Sequence, residues 1–219
     1  MAGPVVVVLV LAVALLGAVL LVNLASYAYG RLGLDGATAF AVLFLSILGS
    51  WLNIPVAHLH ATTTFEPMLV RVYGVLYVVP EPVRVGSKVV AVNVGGAVIP
   101  TILSAYLVIH DGIGWQALLA TTVVALVVYR VARIVPGIGI VAPTLVPPLT
   151  AALVAWAVDV TAIAAVAYVA GTLGTLVGAD LLNLPRIRRL DAPVVSMGGA
   201  GTFDGIFVTG IVAVLLATI

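Results

Sequence analysis

Ser196-Met-Gly-Gly-Ala-Gly-Thr-Phe-Asp-Gly-Ile-Phe-Val-Thr-Gly210 sets a carboxylate, Asp204, and a cluster of glycines at the mouth of an apolar run ending at Ile219. A charge inside such a run is costly where the run lies in a bilayer, and it marks a functional site by default. The rest of the chain decides whether it lies there. Of the 219 residues, 63% are hydrophobic and 8% charged, against about 25% charged in soluble domains. A water-facing surface cannot be built from this composition, and the apolar residues fall in long unbroken runs that point to the bilayer.

The same composition excludes several classes. A net charge of +1 offers no basic patch for nucleic acid. The chain has no cysteine, so disulfides, thiolate catalysis and Cys-ligated zinc are out. There is no H-E-x-x-H zinc motif and no G-x-S-x-G nucleophile turn. Lys88 is the only lysine, which excludes a retinal Schiff base in the last apolar run. No cofactor and no metal site are expected. His58, His60 and Glu66 make too weak a set for a metal. The run from Pro4 to Leu24 lacks basic residues before it and is as long as a full span, so it reads as a first helix and not as a cleaved signal peptide.

A hydrocarbon core takes about 20 apolar residues per helix. By that ruler an all-α integral membrane protein of about seven spans is expected, one transmembrane domain over 1–219. The spans fall near 4–25, 37–56, 89–109, 115–134, 139–158, 161–180 and 199–219. Pro136, Pro143, Pro147 and Pro148 leave open whether the fourth and fifth are full spans or broken ones. In the 57–88 connection, the β-branched and aromatic stretch from Met68 to Val79 fits a short β-hairpin or an interfacial segment better than an eighth span.

Lys and Arg concentrate in alternate connections. Arg71, Arg84 and Lys88, then Arg130 and Arg133, then Arg186, Arg188 and Arg189 fall on one side; only Arg31 falls on the other, with Asp35, Asp111 and Asp159. The positive-inside rule then predicts a cell-membrane protein with a cytoplasmic N-terminus and an outside C-terminus. Trp51, Trp115 and Trp156 fall at span ends, as interfacial anchors do.

Two phrases occur twice: Leu52-Asn53-Ile54-Pro55 with Leu182-Asn183-Leu184-Pro185, and Gly95-Gly96-Ala97 with Gly198-Gly199-Ala200. They suggest two parallel three-helix units, within 1–110 and 137–219, joined by the fourth span as a linker. Some transporters have this plan. Chance recurrence of common residues is the alternative.

Asp180 ends the sixth span and Asp204 lies early in the seventh, so a short connection would bring the two carboxylates to similar depth. Close carboxylates cannot both ionise easily, which suits acid–base chemistry, proton coupling or cation binding. Otherwise Asp180 pairs with Arg186 or Arg188, and Asp204 caps its helix. Asn53 and Asn93 stand at span boundaries facing the same region, as polar ligands or as partners of backbone groups near Pro55 and the glycines. Gly95, Gly96, Gly198 and Gly199 either present N–H groups to an anion such as a lipid head-group or allow helices to pack closely. Gly171, Gly174 and Gly178 recur at helical spacing and read as a packing face.

The runs Asn93-Val-Gly-Gly-Ala-Val-Ile-Pro100, 142–152, 171–184 and Gly198-Gly-Ala-Gly-Thr-Phe-Asp-Gly-Ile-Phe207 resemble an uncharacterised prokaryotic integral-membrane family. That family carries only a domain-of-unknown-function label and has many archaeal members. The resemblance covers the chain from about Gly49 onward and implies a multi-pass protein without implying an activity. Asp180 and Asp204 are also similar in layout to the presenilin and signal-peptide-peptidase class of intramembrane aspartyl proteases. There the second aspartate follows a glycine, where this chain has Phe203; it also lacks the Tyr before Asp180 and the Pro-Ala-Leu run. The expected function is a small-solute or ion transporter or permease, with Asp204, Asp180, Asn53, Asn93 and the glycines at a cytoplasmic-side site. The alternatives are a protease using Asp180 and Asp204, or a non-catalytic subunit of a larger membrane complex. A homo-oligomer is an open possibility.

Overall fold

A computed structural model of the chain describes residues 3–59, 62–72, 75–85, 88–135, 139–187, 194–199 and 202–219, with side chains over 6–58, 89–133, 140–186, 194–199 and 205–219. Each expected span contains a helix: α1 (Gly3–Arg31), α2 (Gly36–Gly49), α3 (Ile99–His110), α4 (Gly114–Val131), α5 (Val146–Val158), α6 (Ile163–Thr175) and α8 (Thr202–Ala217), with a single turn α7 (Leu184–Ile187) after the sixth. Two helices carry π-helical turns: Val94–Val98 leads into α3, and Leu176–Leu181 extends α6.

Among the described residues three helices are long and apolar enough to cross a membrane: Val6–Arg31, Gly114–Val131 and the run Ile163–Arg186. The others are shorter than the expected spans, and in the second, third and fifth a strand takes one end. β1 (Asn53–Leu59) takes the end of the second expected span, and β4 (Lys88–Asn93) the start of the third. Hydropathy cannot separate these cases: Val89-Val90-Ala91-Val92 is as apolar as a helix, but its β-branched side chains favour a strand. β1 and β4 pair antiparallel, with Asn53 opposite Asn93 and a slip between Pro55 and Ala57, as suits a residue without an N–H. Between them β2 (Thr62–Val72) and β3 (Val75–Val85) form the hairpin that the Met68–Val79 stretch predicted. β5 (Arg133–Val135) and β6 (Gly139–Val141) pair where the fourth and fifth spans were in question. The fifth helix therefore starts late, at Val146, with Pro147 and Pro148 in its first turn, where no intrahelical N–H is missed. The unexpected element is β7 (Val194–Met197), which joins β4 in parallel and completes a sheet of order β1-β4-β7. The fold is therefore mostly helical with small sheets, and not all-α.

One hydrophobic cluster draws on α1 to α6 and α8. α6 runs through its middle with Ala165 to Thr172 buried all round, as an apolar helix without a polar face must be. α4, expected as a linker, is packed into this cluster through Ala117, Ala120, Val124 and Val128. The two Leu-Asn-x-Pro phrases take different structures: Asn53 opens a strand, and Asn183 lies in the turn between the π extension of α6 and α7. The glycines of α6 allow the close packing their spacing implied. A Cβ on Gly171 would stand 3.1 Å from the Ala213 Cβ, one on Gly174 2.6 Å from the Val124 Cβ, and one on Gly178 2.5 Å from the Ala125 carbonyl oxygen.

At one end of the bundle two carboxylates organise the turns. Asp35 caps α2 by accepting from the amides of Ala37 and Thr38 and from the Thr38 hydroxyl. The Thr38 amide, then its hydroxyl, hold this carboxyl below its ordinary range. Asp159 accepts from the Thr161 hydroxyl and the amides of Thr161 and Ala162, and Gln116 of α4 donates to it. The Thr161 hydroxyl, followed by the Ala162 amide, lowers its pKa.

Candidate functional site at the strand ends

The sheet's strands deliver their ends to one place. Asn93 closes β4, and its Oδ1 accepts the Gly96 amide at 2.8 Å, capping the π turn that opens α3. Its Nδ2 donates to the Ser50 carbonyl at the end of α2 (2.7 Å) and to Asn53 Oδ1 at the start of β1 (3.1 Å). Ser196 of β7 donates its hydroxyl to the same Asn53 oxygen. Asn93 is fully buried, so these bonds meet the requirement that a buried amide be paired. One asparagine thus ties α2, β1 and α3 together, and Asn53 adds β7.

Close backbone approach explains the first glycine pair. A Cβ on Gly95 would overlap the Ser46 carbonyl oxygen and the Ser50 amide and lie 2.9 Å from the Gly49 carbonyl carbon. A Cβ on Gly49 would stand 2.9 Å from the Gly95 nitrogen. The π turn is therefore pressed onto the end of α2. Gly198 follows β7 with φ +70°, in the left-handed region that glycine enters without steric cost. A Cβ there would meet the Ala97 Cβ at 2.6 Å, so the two Gly-Gly phrases lie side by side.

The Gly198 turn also reaches the carboxylate. Its N–H donates to Asp180 Oδ2 at 2.9 Å. Asp180 lies in the π extension of α6 and is 3% exposed. The expected pairing with Arg186 does not form: Arg186 donates to Asn183 Oδ1 and to the Tyr129 hydroxyl, each at 3.1 Å, and lies over the Tyr129 ring. Arg188 is outside the described residues. Among the described residues no cation pairs with Asp180. The anion reading of the glycines is met from within the chain: Gly96 N–H goes to Asn93, and Gly198 N–H goes to the Asp180 carboxylate.

Asn53, Asn93, Gly95, Gly96, Gly198, Gly199 and Asp180 are therefore gathered at one junction. Asp204 belongs to the first turn of α8, and its side chain lies outside the described residues. His58 is on β1 and exposed, whereas His60 is not described. Three further residues, Ser50, Ser196 and Asn183, were not among the site candidates read from the sequence. Ser50 enters through its carbonyl, which no side-chain pattern reveals. Ser196 was visible only as the residue before Met197-Gly198. Asn183 donates to the carbonyls of Gly178 and Ala179, each at 3.0 Å, and so satisfies oxygens that the π turn frees. Its place two residues before Pro185 and three before Arg186 was the available signal.

These features define a mostly helical chain with three helices able to cross a membrane and a buried carboxylate where broken helices meet strand ends. The chain belongs to a family of proteins of unknown function, DUF1614, whose match covers residues 47–216. No curated protein and no solved structure matches it.

Proposed function

We propose that this is a multi-pass membrane protein that moves a small ion or solute, with Asp180 as the charge-bearing residue of its site and Asp204 as its partner across the junction. The observation that carries the reading is a carboxylate buried at a π turn and hydrogen-bonded by the backbone of the Gly198 turn. A carboxylate in such surroundings is costly and needs a compensating proton or cation. Discontinuous helices whose ends meet near the midplane are how many transporters bind ions and substrates. The four shorter helices fit that plan. Each is 10–17 residues long and would cross only part of a core about 30 Å thick. The start of α3 and the end of α2 converge beside the Asp180 turn. Trp51, Trp115 and Trp156 are exposed, as membrane-interface anchors would be. The arginine-rich ends of α4 and α7 would face the cytoplasm.

The test is flux in reconstituted vesicles loaded with a pH dye and challenged in turn with sodium, potassium and small carboxylate gradients. The wild-type protein should couple one gradient to a pH change, and Asp180→Asn should lower that flux at least roughly tenfold. Wild-type vesicles indistinguishable from empty ones under every gradient would sink the reading, as would an Asp180→Asn protein with full flux.

A further inference from the structure

The hydroxyls on the helices fall into two groups. Thr122, Thr150 and Thr218 donate to the carbonyl four residues back at 2.7–2.8 Å, Ser104 does so at 2.8 Å, and Thr209 does the same. That is the usual way a hydroxyl in an apolar helix is satisfied. Thr172 and Thr175 are 1% and 5% exposed, and their hydroxyls, like those of Ser46 on α2 and Thr121 on α4, make no bond to a backbone carbonyl among the described residues; the Thr172 hydroxyl faces that of Tyr168. The same is true of the Tyr29 hydroxyl on α1, whose ring meets that of Tyr168 with centroids 6.4 Å apart. A buried polar group left unpaired calls for an explanation.

Their positions supply one. Tyr168, Thr172 and Thr175 stand at i, i+4 and i+7, on one face of α6. In a regular α-helix the next residue on that face is i+11, which is Ala179. The π turn Leu176–Leu181 adds one residue to a turn, so Asp180 comes onto the face in its place. The face is roughly 18 Å long at 1.5 Å per residue. It runs from the junction at Asp180 to Tyr168 and Tyr29, at the end of the bundle that holds Asp35 and Asp159. Tyr29, Tyr168 and Asp180 are the buried titratable side chains among the described residues. α8 closes over the face at Gly210, where a Cβ would lie 2.5 Å from Thr172 Oγ1 and 3.0 Å from Tyr168 Cε2.

We propose that Tyr168, Thr172 and Thr175, continued by Tyr29, form a proton relay between Asp180 and the Asp159 end of the bundle. The proposal rests on the reading of Asp180 as the charge-bearing site, and it names the ion as a proton. Successive members of the face stand roughly one helical turn, about 5.4 Å, apart along the helix axis, so that their hydroxyls would pass a proton directly or through one bridging water. Every oxygen receives a proton on one side and releases its own on the other. One proton enters for each that leaves, and only O–H bonds break and form.

The experiment is time-resolved infrared spectroscopy of the full chain in vesicles after a pH jump on the Asp159 side. The Asp180 carboxyl band is assigned by its loss in Asp180→Asn. The Thr172→Val/Thr175→Val double variant keeps side-chain shape and should slow the response of that band at least roughly tenfold. Thr172→Ser/Thr175→Ser should restore the rate. An unchanged rate in the valine variant would overturn the relay, and so would a serine variant as slow as the valine one. A wild-type band that ignores the jump also overturns it. In each case the Asp180→Asn flux measurement still judges the transport reading separately.

Discussion

Replacing Gly95 by alanine tests the junction at its tightest contact. The added methyl would overlap the Ser46 carbonyl oxygen and the Ser50 amide and sit 2.9 Å from the Gly49 carbonyl carbon. All three are backbone atoms of α2 and its cap, so no rotamer change relieves the clash, and the π turn must move away from α2. Overpacking of this kind costs about 1–3 kcal/mol. The same movement lengthens the 2.7 Å bond from Asn93 to the Ser50 carbonyl, which adds about 0.5–1.5 kcal/mol. A total of about 2–4 kcal/mol corresponds to a melting temperature lower by roughly 5–15 °C in a chain of this size. Two further glycines calibrate the result. At Gly210 the neighbours are the Thr172 hydroxyl and the Tyr168 ring, which can yield, so Gly210→Ala should cost less. At Gly17 nothing lies within 4 Å, and alanine there should be neutral or gain up to about 1 kcal/mol of helix propensity. Thermal unfolding of the three variants in one detergent gives the order directly. Equal melting temperatures for Gly95→Ala and Gly17→Ala would refute the close approach of the π turn to α2.

Asn93→Ala should be the most damaging side-chain truncation at the junction. It leaves the Gly96 amide, the Ser50 carbonyl and Asn53 without their partner, a loss of about 2–4 kcal/mol, and a shift below about 1 kcal/mol in denaturant unfolding would contradict that network. Acid should act through Asp35 and Asp159. Both carboxyls have lowered pKa values in the fold, so their contribution is complete above the ordinary aspartate value of about 3.9. It is lost as the pH falls through the lower folded values. Melting curves against pH for Asp35→Asn/Asp159→Asn should start lower at neutral pH and show a shallower acid decline; a decline as steep as the wild-type one would count against these caps.

The helices were legible because each apolar run forms one; their lengths were not. Trp51 to Val56 and Val89 to Val92 satisfy a hydropathy ruler as well as any helix does, and only Pro55, the β-branched run and Gly95-Gly96 hinted at strands. The parallel pairing of β4 with β7 joins residues about a hundred positions apart, and nothing local announces it. At the candidate site, Asn53, Asn93 and the glycine pairs were found because amides and glycines at span boundaries are rare enough to notice. Asp180 and Arg186 looked like natural partners, but the π turn directs Arg186 to Asn183 and Tyr129 and leaves Asp180 to the Gly198 amide. A backbone donor of that kind has no residue signature. Ser50 escaped for the same reason.

The first helix carries a different kind of consequence. From Val6 to Leu24 α1 is exposed along its whole circumference, and burial begins only at Ala25, Ala28, Tyr29 and Leu32. As far as this chain's own contacts go, those nineteen or so positions are constrained only by being apolar and helical. Their order carries no information that the bundle reads. A library that scrambles 6–24 among Val, Leu, Ala and Ile would therefore leave the protein's folding intact, while the same freedom granted to the four buried positions would not.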